Sequence, residues 1–262
     1  MNHEIHATAT VEPSAELEDG CVIGPQCYIG GNVRLGAGTI LHSHVVIDGP
    51  TTLGKNCEIF PFACIGKRTQ DLKYEGGSMP VTIGDNTTIR EYVTVHQPTK
   101  QGSITSVGDH CSLLAYCHIA HDCRIGNRVI VSNSTNFAGH VDVGDSAVIG
   151  GMCGVHQFAR IGSYVMLSAM SKAVQDIPPF CLADGNPARL VSINKIGLQR
   201  NGFTKEQIQN IHTAFRTLFR SANTLHEGIN ELRQRESLDA HIQQLKDFIE
   251  TSDRQIATVR NA

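Results

Sequence analysis

The sequence predicts a mainly β chain: a parallel β-helix of six-residue repeats over 1–186, then a smaller α-helical domain over 187–262. Three observations predict it. Apolar residues recur every six positions from Ile5 to Leu167. Of the 28 positions in that series 25 are Ile, Val, Leu or Phe, the exceptions being Asp71, Gly77 and Gln101. Neither the 3.6-residue period of an α-helix nor the two-residue period of a lone strand holds one phase over such a length. Second, aromatic residues make up only 5% of the chain and Trp is absent, while there are 25 glycines. That composition suits a narrow, repetitive interior better than a bulky core. Third, the repeat fades after Lys172, and Pro178-Pro179 and Pro187 punctuate the chain before helical patterning begins.

Each repeat has an internal grammar. Gly follows the apolar residue at Gly24, Gly30, Gly36, Gly126, Gly144 and Gly162, where it is expected to supply unusual backbone angles at a corner. A small or β-branched residue sits four places after the apolar one, as at Ala15, Val129 and Val165. Seven of the nine cysteines hold this position: Cys21, Cys27, Cys57, Cys111, Cys117, Cys123 and Cys153. They read as small buried apolar residues rather than disulfides, ligands or nucleophiles. The grammar resembles that of hexapeptide β-helices. That resemblance implies that three hexapeptides form one triangular, left-handed coil, so that residues 18 apart stack on neighbouring coils about 4.8 Å apart.

Two polar segments containing Gly and Pro interrupt the series, at 67–80 and 98–106. In a rigid stack they emerge as surface loops and are candidate binding elements. Beyond the repeats, Thr204 and Gln207 form a capping-box pattern. Ile208, Ile211, Phe215, Leu218 and Phe219 then lie on one apolar stripe. Further helices fit 224–235 and 237–250. The stripe covers the open end of the β-helix or joins subunits.

The charge balance, 22 basic against 25 acidic residues with a net of −3, offers no general footprint for nucleic acid or an anionic membrane. The first residues show neither a basic nor an apolar leader region, and no apolar run approaches 18 residues. The expectation is a cytoplasmic protein with no membrane insertion.

Polar residues able to do chemistry concentrate between His118 and Gln157. On an 18-residue coil, His121 stacks below Gly139 and Gly139 below Gln157; Asp122 stacks below His140, and His156 neighbours Gln157. None falls in the apolar column, so all should face outward along one edge. Zinc is one reading of such histidines. Acyl transfer is another. A neutral imidazole removes a proton from a sugar hydroxyl, a nearby carboxylate or carbonyl orients the ring, and a backbone N–H stabilises the oxyanion from a thioester, typically by about 3–4 kcal/mol. Gly139 has no side chain to block that approach. There is no Gly-x-Ser-x-Gly elbow.

At these residues the chain resembles the UDP-N-acetylglucosamine O-acyltransferases. The resemblance spans nearly the whole chain. It rests on Gln70-Asp71-Leu72-Lys73-Tyr74, His118-Ile119-Ala120-His121-Asp122, Val155-His156-Gln157-Phe158, Gln175-Asp176-Ile177-Pro178-Pro179 and Asn201-Gly202-Phe203. It implies a homotrimer with active sites between subunits, performing the first step of lipid A biosynthesis. The donor is an (R)-3-hydroxyacyl chain on the phosphopantetheine of acyl carrier protein, with no separate cofactor and no metal. The acceptor is the 3-hydroxyl of the GlcNAc of UDP-GlcNAc. By the same resemblance His121 is the general base and Gly139 the oxyanion donor. Asp71, Lys73, His118, His140, His156 and Gln157 contact or orient substrate, and Asn194 and Arg200 hold the nucleotide. Ala169, followed by Met170, matches the residue that closes the hydrocarbon groove; some members carry Gly there and admit a longer chain. This chain departs from the common pattern at His96-Gln97-Pro98-Thr99, where members often read His-Arg-Gly-Thr, and at Ile196 and Asn201.

Rival readings are the related N-acyltransferase, a CoA-dependent acetyltransferase, a zinc hydratase and an inactive scaffold. Repeats that begin at Ile5 argue against the first, which carries an extra N-terminal domain. The loop from Gln70 to Tyr74 argues against the second. Arg189, Arg200, Lys205, Arg216 and Arg220 form either a patch for the acidic carrier protein or ordinary solvated helix charges.

Overall fold

The structure, a computed structural model, describes residues 3–74, 76–221, 224–234 and 239–259. Among the described residues, three parallel sheets of 11, 9 and 8 strands form the faces of a left-handed β-helix, and one antiparallel pair closes the largest sheet. Most strands are only two or three residues long, because each face of a coil is one side of a triangle. The register gives the 18-residue coil directly: Ile5 pairs with Ile23, Ile23 with Leu41, and Leu113 with Val131. Pairing partners are 30 apart at Ile59 and Ile89 and 24 apart at Ile89 and Leu113. The two insertions therefore add 12 and six residues. Both are multiples of six, which is why the apolar series keeps its phase while passing over Asp71, Gly77 and Gln101.

The apolar column is the core. Ile23, Leu41, Ile59, Ile89, Leu113, Val131, Ile149 and Leu167 are each at most 1% exposed. Each such side chain contributes about 1.5–3 kcal/mol of transfer free energy. The cysteine column lies beside it. All nine cysteines are free, and eight are buried. Cys117 and Cys123 donate from Sγ to the carbonyls of Ser132 and Ala138 on the next coil, both at 3.1 Å. Burial pushes their thiols up to about 11 and about 12, so neither is a thiolate nucleophile.

The glycine expectation needs correction. None of Gly24, Gly30, Gly36, Gly126, Gly144 and Gly162 has a positive φ. What demands glycine there is the next coil: a Cβ on Gly24 would lie 2.8 Å from the carbonyl of His42. The left-handed corner falls two residues later; Gly20 and Gly38 take it in two places, but elsewhere side chains do, among them Gln26, Tyr116, Asp122, His140 and Phe158, with φ between 59° and 66°.

The loop boundaries also shift. The first insertion leaves the strand Cys64–Lys67 and rejoins at Val81–Ile83. The second, expected to run to 106, ends earlier, because Thr105 already pairs with Val81 and is fully buried.

The strands Cys181–Gly185 and Ala188–Ile193 form a hairpin that straddles position 186. Among the described residues four helices follow: α1 (Lys195–Arg200), α2 (Lys205–Arg216), α3 (Leu225–Arg233) and α4 (Ala240–Glu250). A π-turn, Thr217–Ser221, extends α2. The capping box at Thr204 and Gln207 is present, and Ile208, Ile211, Phe215 and Leu218 are buried. Positions 235, 237 and 238 of the expected helices lie outside the described residues. Phe180 is buried against Tyr164, Phe203 and His241, so the helices close the C-terminal end of the β-helix. Ile5 in the first coil stays 46% exposed. Among the described residues, no helix is long and apolar enough to cross a membrane.

Candidate active site

The nine-stranded sheet positions the site. Along Thr94–His96, His118–Ile119, Asn136–Phe137 and Gly154–Val155 the second residue points into the core and the first points out. His118 is thereby presented outward, with Nδ1 2.7 Å from the Thr94 hydroxyl on the coil before it. The His96 ring meets it edge-on at 4.8 Å. Burial, then the neighbouring His96 and His121, push the His118 imidazole down to about 4.

The adjoining corner carries His121 and Asp122. His121 Nδ1 is 2.8 Å from Asp122 Oδ2, and its Nε2 is 3.4 Å from Asp71 Oδ2 on the first loop. Asp122 is buried. Its Oδ2 also accepts from the Thr99 N–H at 3.1 Å and the Thr99 hydroxyl at 2.9 Å. Burial alone would raise this carboxyl; the hydrogen bonds from His121 and Thr99 outweigh it and hold the carboxyl below its ordinary range. The second loop thereby supports the site from behind, since Thr99 fastens the carboxylate that fastens His121.

Gly139 lies one coil above. Any Cβ there would overlap the His121 imidazole. The coils are tied by His140 N–H donating to the His121 carbonyl at 3.0 Å and Phe158 N–H to the Gly139 carbonyl at 3.1 Å. Among the described residues, the Gly139 N–H itself donates to no acceptor.

Asp71, Lys73, His118, His121, Gly139 and Gln157 line one pocket of about 420 Å³, together with Thr69, Gln70 and His96. His118 also borders a groove of about 520 Å³ along the same face, lined by Phe137, Met152, Val155, His156 and Met170. Pocket and groove adjoin, sharing His118, Ala120 and Ala138 in their linings. The Lys73 N–H donates to Asp71 Oδ1 at 2.8 Å, which sets the loop carboxylate.

Other expected residues lie elsewhere. His140 does not line the pocket; it stacks on Phe158 at 4.5 Å on the far side of the corner, with Nε2 3.7 Å from Asp122. Burial lowers its pKa, opposed by the Asp122 charge. Ala169 is exposed and lies against Gly150, outside the groove lining, whereas Met170 lines it and is 69% exposed. Asn194 caps α1, accepting from Gly197 N–H at 3.0 Å and donating to the Tyr164 carbonyl at 2.9 Å. Arg200 is exposed in the last turn of α1. Neither lines the pocket of its own chain. Sequence reasoning gives no site role to Thr99 or His96, and assigns Asp122 no specific partner. The adjacency of His121 and Asp122 is an available signal; the Thr99 contact spans 23 residues and has none.

His121, Asp122 and His140 offer one ligand atom each within 4.8 Å of one another. The bonding of Asp122 Oδ2 to His121 Nδ1 and to Thr99 is that of a carboxylate orienting an imidazole.

The family signature described as Udp N-acetylglucosamine O-acyltransferase, domain 2, matches residues 176–257, and the bacterial transferase hexapeptide signature matches 14–49 and 104–139. The acyl-[acyl-carrier-protein]–UDP-N-acetylglucosamine O-acyltransferase of Thermodesulfovibrio yellowstonii is 47% identical over 97% of this chain and 99% of its own length. The chain belongs to the UDP-N-acetylglucosamine O-acyltransferase family. Solved structures of UDP-N-acetylglucosamine O-acyltransferases agree. The protein from Acinetobacter baumannii superposes with a TM-score of 0.92 at 42% identity, covering 98% of this chain and 99% of that one. The enzyme from Francisella novicida gives 0.94 at 36% identity, covering 98% and 95%. In this O-acyltransferase the domain 2 match begins just before the hairpin and takes in all four helices.

Proposed function

We propose that this chain transfers an (R)-3-hydroxyacyl group from the thioester of acyl carrier protein to the 3-hydroxyl of the GlcNAc of UDP-GlcNAc, the first step of lipid A biosynthesis. The acyl transfer itself is the activity that its relatives' names state. The observation that carries the mechanism is His121 held between Asp122 and Asp71 beneath Gly139.

With Nδ1–H donated to Asp122, Nε2 carries the free lone pair and acts as base. Asp71, 3.4 Å from Nε2, accepts from a neighbouring sugar hydroxyl and orients the acceptor. The 3-hydroxyl oxygen attacks the thioester carbonyl as its proton passes to Nε2. The resulting oxyanion meets the free N–H of Gly139, a donor of the kind worth about 3–4 kcal/mol. Collapse expels the pantetheine thiolate, and the imidazolium returns the proton to that sulfur. The neutral His118 beside the site adds no competing positive charge.

The acyl chain lies in the groove past His118 and His156 towards Met170. Lys73 meets phosphate or donor charge, and Gln157 contacts the sugar from the coil above. His140 acts from behind, through Asp122. Asn194 and Arg200 serve the nucleotide of a neighbouring protomer in a homotrimer, which fits their absence from the lining of their own chain's pocket. The donor arrives on the phosphopantetheine of acyl carrier protein, so no further cofactor enters. The reaction is placed in the cytoplasm.

The test is an acyl-transfer assay with UDP-GlcNAc and a series of (R)-3-hydroxyacyl carrier-protein donors. Product from wild type and almost none from a folded His121→Ala variant is expected. Full activity in that variant would reject the role of His121, and loss of wild-type activity on chelation would restore the zinc reading.

A further inference from the structure

After α4 the chain turns back across the β-helix. Ile256 bridges to Asp176, and Val259 to Leu190. Asp176, fully buried, accepts from the Arg160 N–H at 2.8 Å and the Ser252 hydroxyl at 2.7 Å, which fixes where this tail lies. From the tail, Arg254 reaches the coil that carries His156 and Gln157. One guanidinium nitrogen donates to the Gln157 carbonyl at 2.7 Å. The other lies 3.3 Å from the Val174 carbonyl and 3.3 Å from His156 Nδ1.

His156 is exposed and borders the groove, while Gln157 borders the catalytic pocket. The only other contact of the His156 ring nitrogens among the described residues is Nδ1 with the Gln157 carbonyl at 3.1 Å. Arg254 already makes the shorter bond to that carbonyl. A guanidinium has donors only. A ring nitrogen that bonds to it must accept, which puts the ring proton on Nε2. The planar fork spans three acceptors on two coils, a geometry a lysine cannot reproduce.

We infer that Arg254 is a positioning residue for acyl transfer. It acts through His156, holding the imidazole as its Nε2–H form where groove and pocket meet, so that this N–H donates to the bound acyl donor. The inference rests on the reading of His156 as a substrate-contacting residue.

A double-mutant cycle tests it, using the full-length enzyme with acyl carrier-protein donor and UDP-GlcNAc. His156→Ala alone should lower kcat; wild-type turnover there would overturn the reading of His156 and the inference with it. Arg254→Met alone should lower kcat on the order of tenfold, within the range of coupling between residues in contact, with KM for UDP-GlcNAc unchanged. In the His156→Ala background the same substitution should cost nothing further. An Arg254 that merely braces the tail would cost the same in both backgrounds. Such additivity, or wild-type kcat in Arg254→Met, overturns the inference. Thermal melts and gel filtration accompany each variant. If Arg254→Met does not fold, Arg254→Lys takes its place in the same cycle and is read the same way.

Discussion

Asp122 Oδ2 and His121 Nδ1 stand 2.8 Å apart, with the carboxylate side chain only 5% exposed and the imidazole 14% exposed. Adjacent in sequence, they share a corner because Asp122 takes the left-handed conformation, φ 60°, that turns the chain there. Asp is among the side chains that tolerate this region best. One residue thus makes the turn and orients the base.

Asp122→Asn should leave the fold intact and lower kcat by at least about tenfold: the amide oxygen must take the Oδ2 position, which accepts from the Thr99 N–H and from His121 Nδ1, so the substitution removes the negative charge that steadies the imidazolium. Steady-state kinetics checks this, with KM for UDP-GlcNAc nearly unchanged. Thr99→Val removes one of the two Thr99 donors to Asp122 and should lose less.

Gly139→Ala should be far more damaging than its one methyl suggests. Its Cβ overlaps the His121 ring, so the imidazole must move. Turnover should fall on the order of a hundredfold while the melting temperature changes little. An active Gly139→Ala enzyme would remove the requirement for close approach at this position.

The His118 imidazole supplies a pH prediction. Burial, then His96 and His121, hold its pKa at about 4, below the value of about 6.5 for an unfolded histidine. Between those values the unfolded chain binds the extra proton. Stability is therefore complete above about pH 6.5 and declines as pH falls towards 4. Melting temperatures measured across that window should fall less steeply in His118→Asn than in wild type.

Acyl length should respond to Met170 more than to Ala169. Met170 lines the groove, whereas Ala169 lies outside the lining, against Gly150. Met170→Ala should shift preference towards longer donors in a competition assay, and Ala169→Gly should shift it less. The reverse order would return the ruler to Ala169.

The architecture was legible in the sequence because a repeat announces itself. Twenty-five apolar residues in one phase of six leave no other fold that buries them. The stacking of His121, Gly139 and Gln157 followed from the same arithmetic once the coil length was known. So did the inward column of cysteines. These are periodic facts, and a one-dimensional code carries them.

What only the tertiary structure decided was aperiodic. Sequence reasoning puts the strained corner at glycine, where the coils in fact demand close approach, because both needs select the same residue. It groups His140 with the pocket, since stacking places it one coil above Asp122 but does not say which side of the corner its ring takes. Thr99 on a loop and Arg254 on the tail meet the catalytic coils across 23 and 97 or more residues. Such contacts depend on how an insertion and a terminal segment fold back in space, and no period in the chain encodes that path.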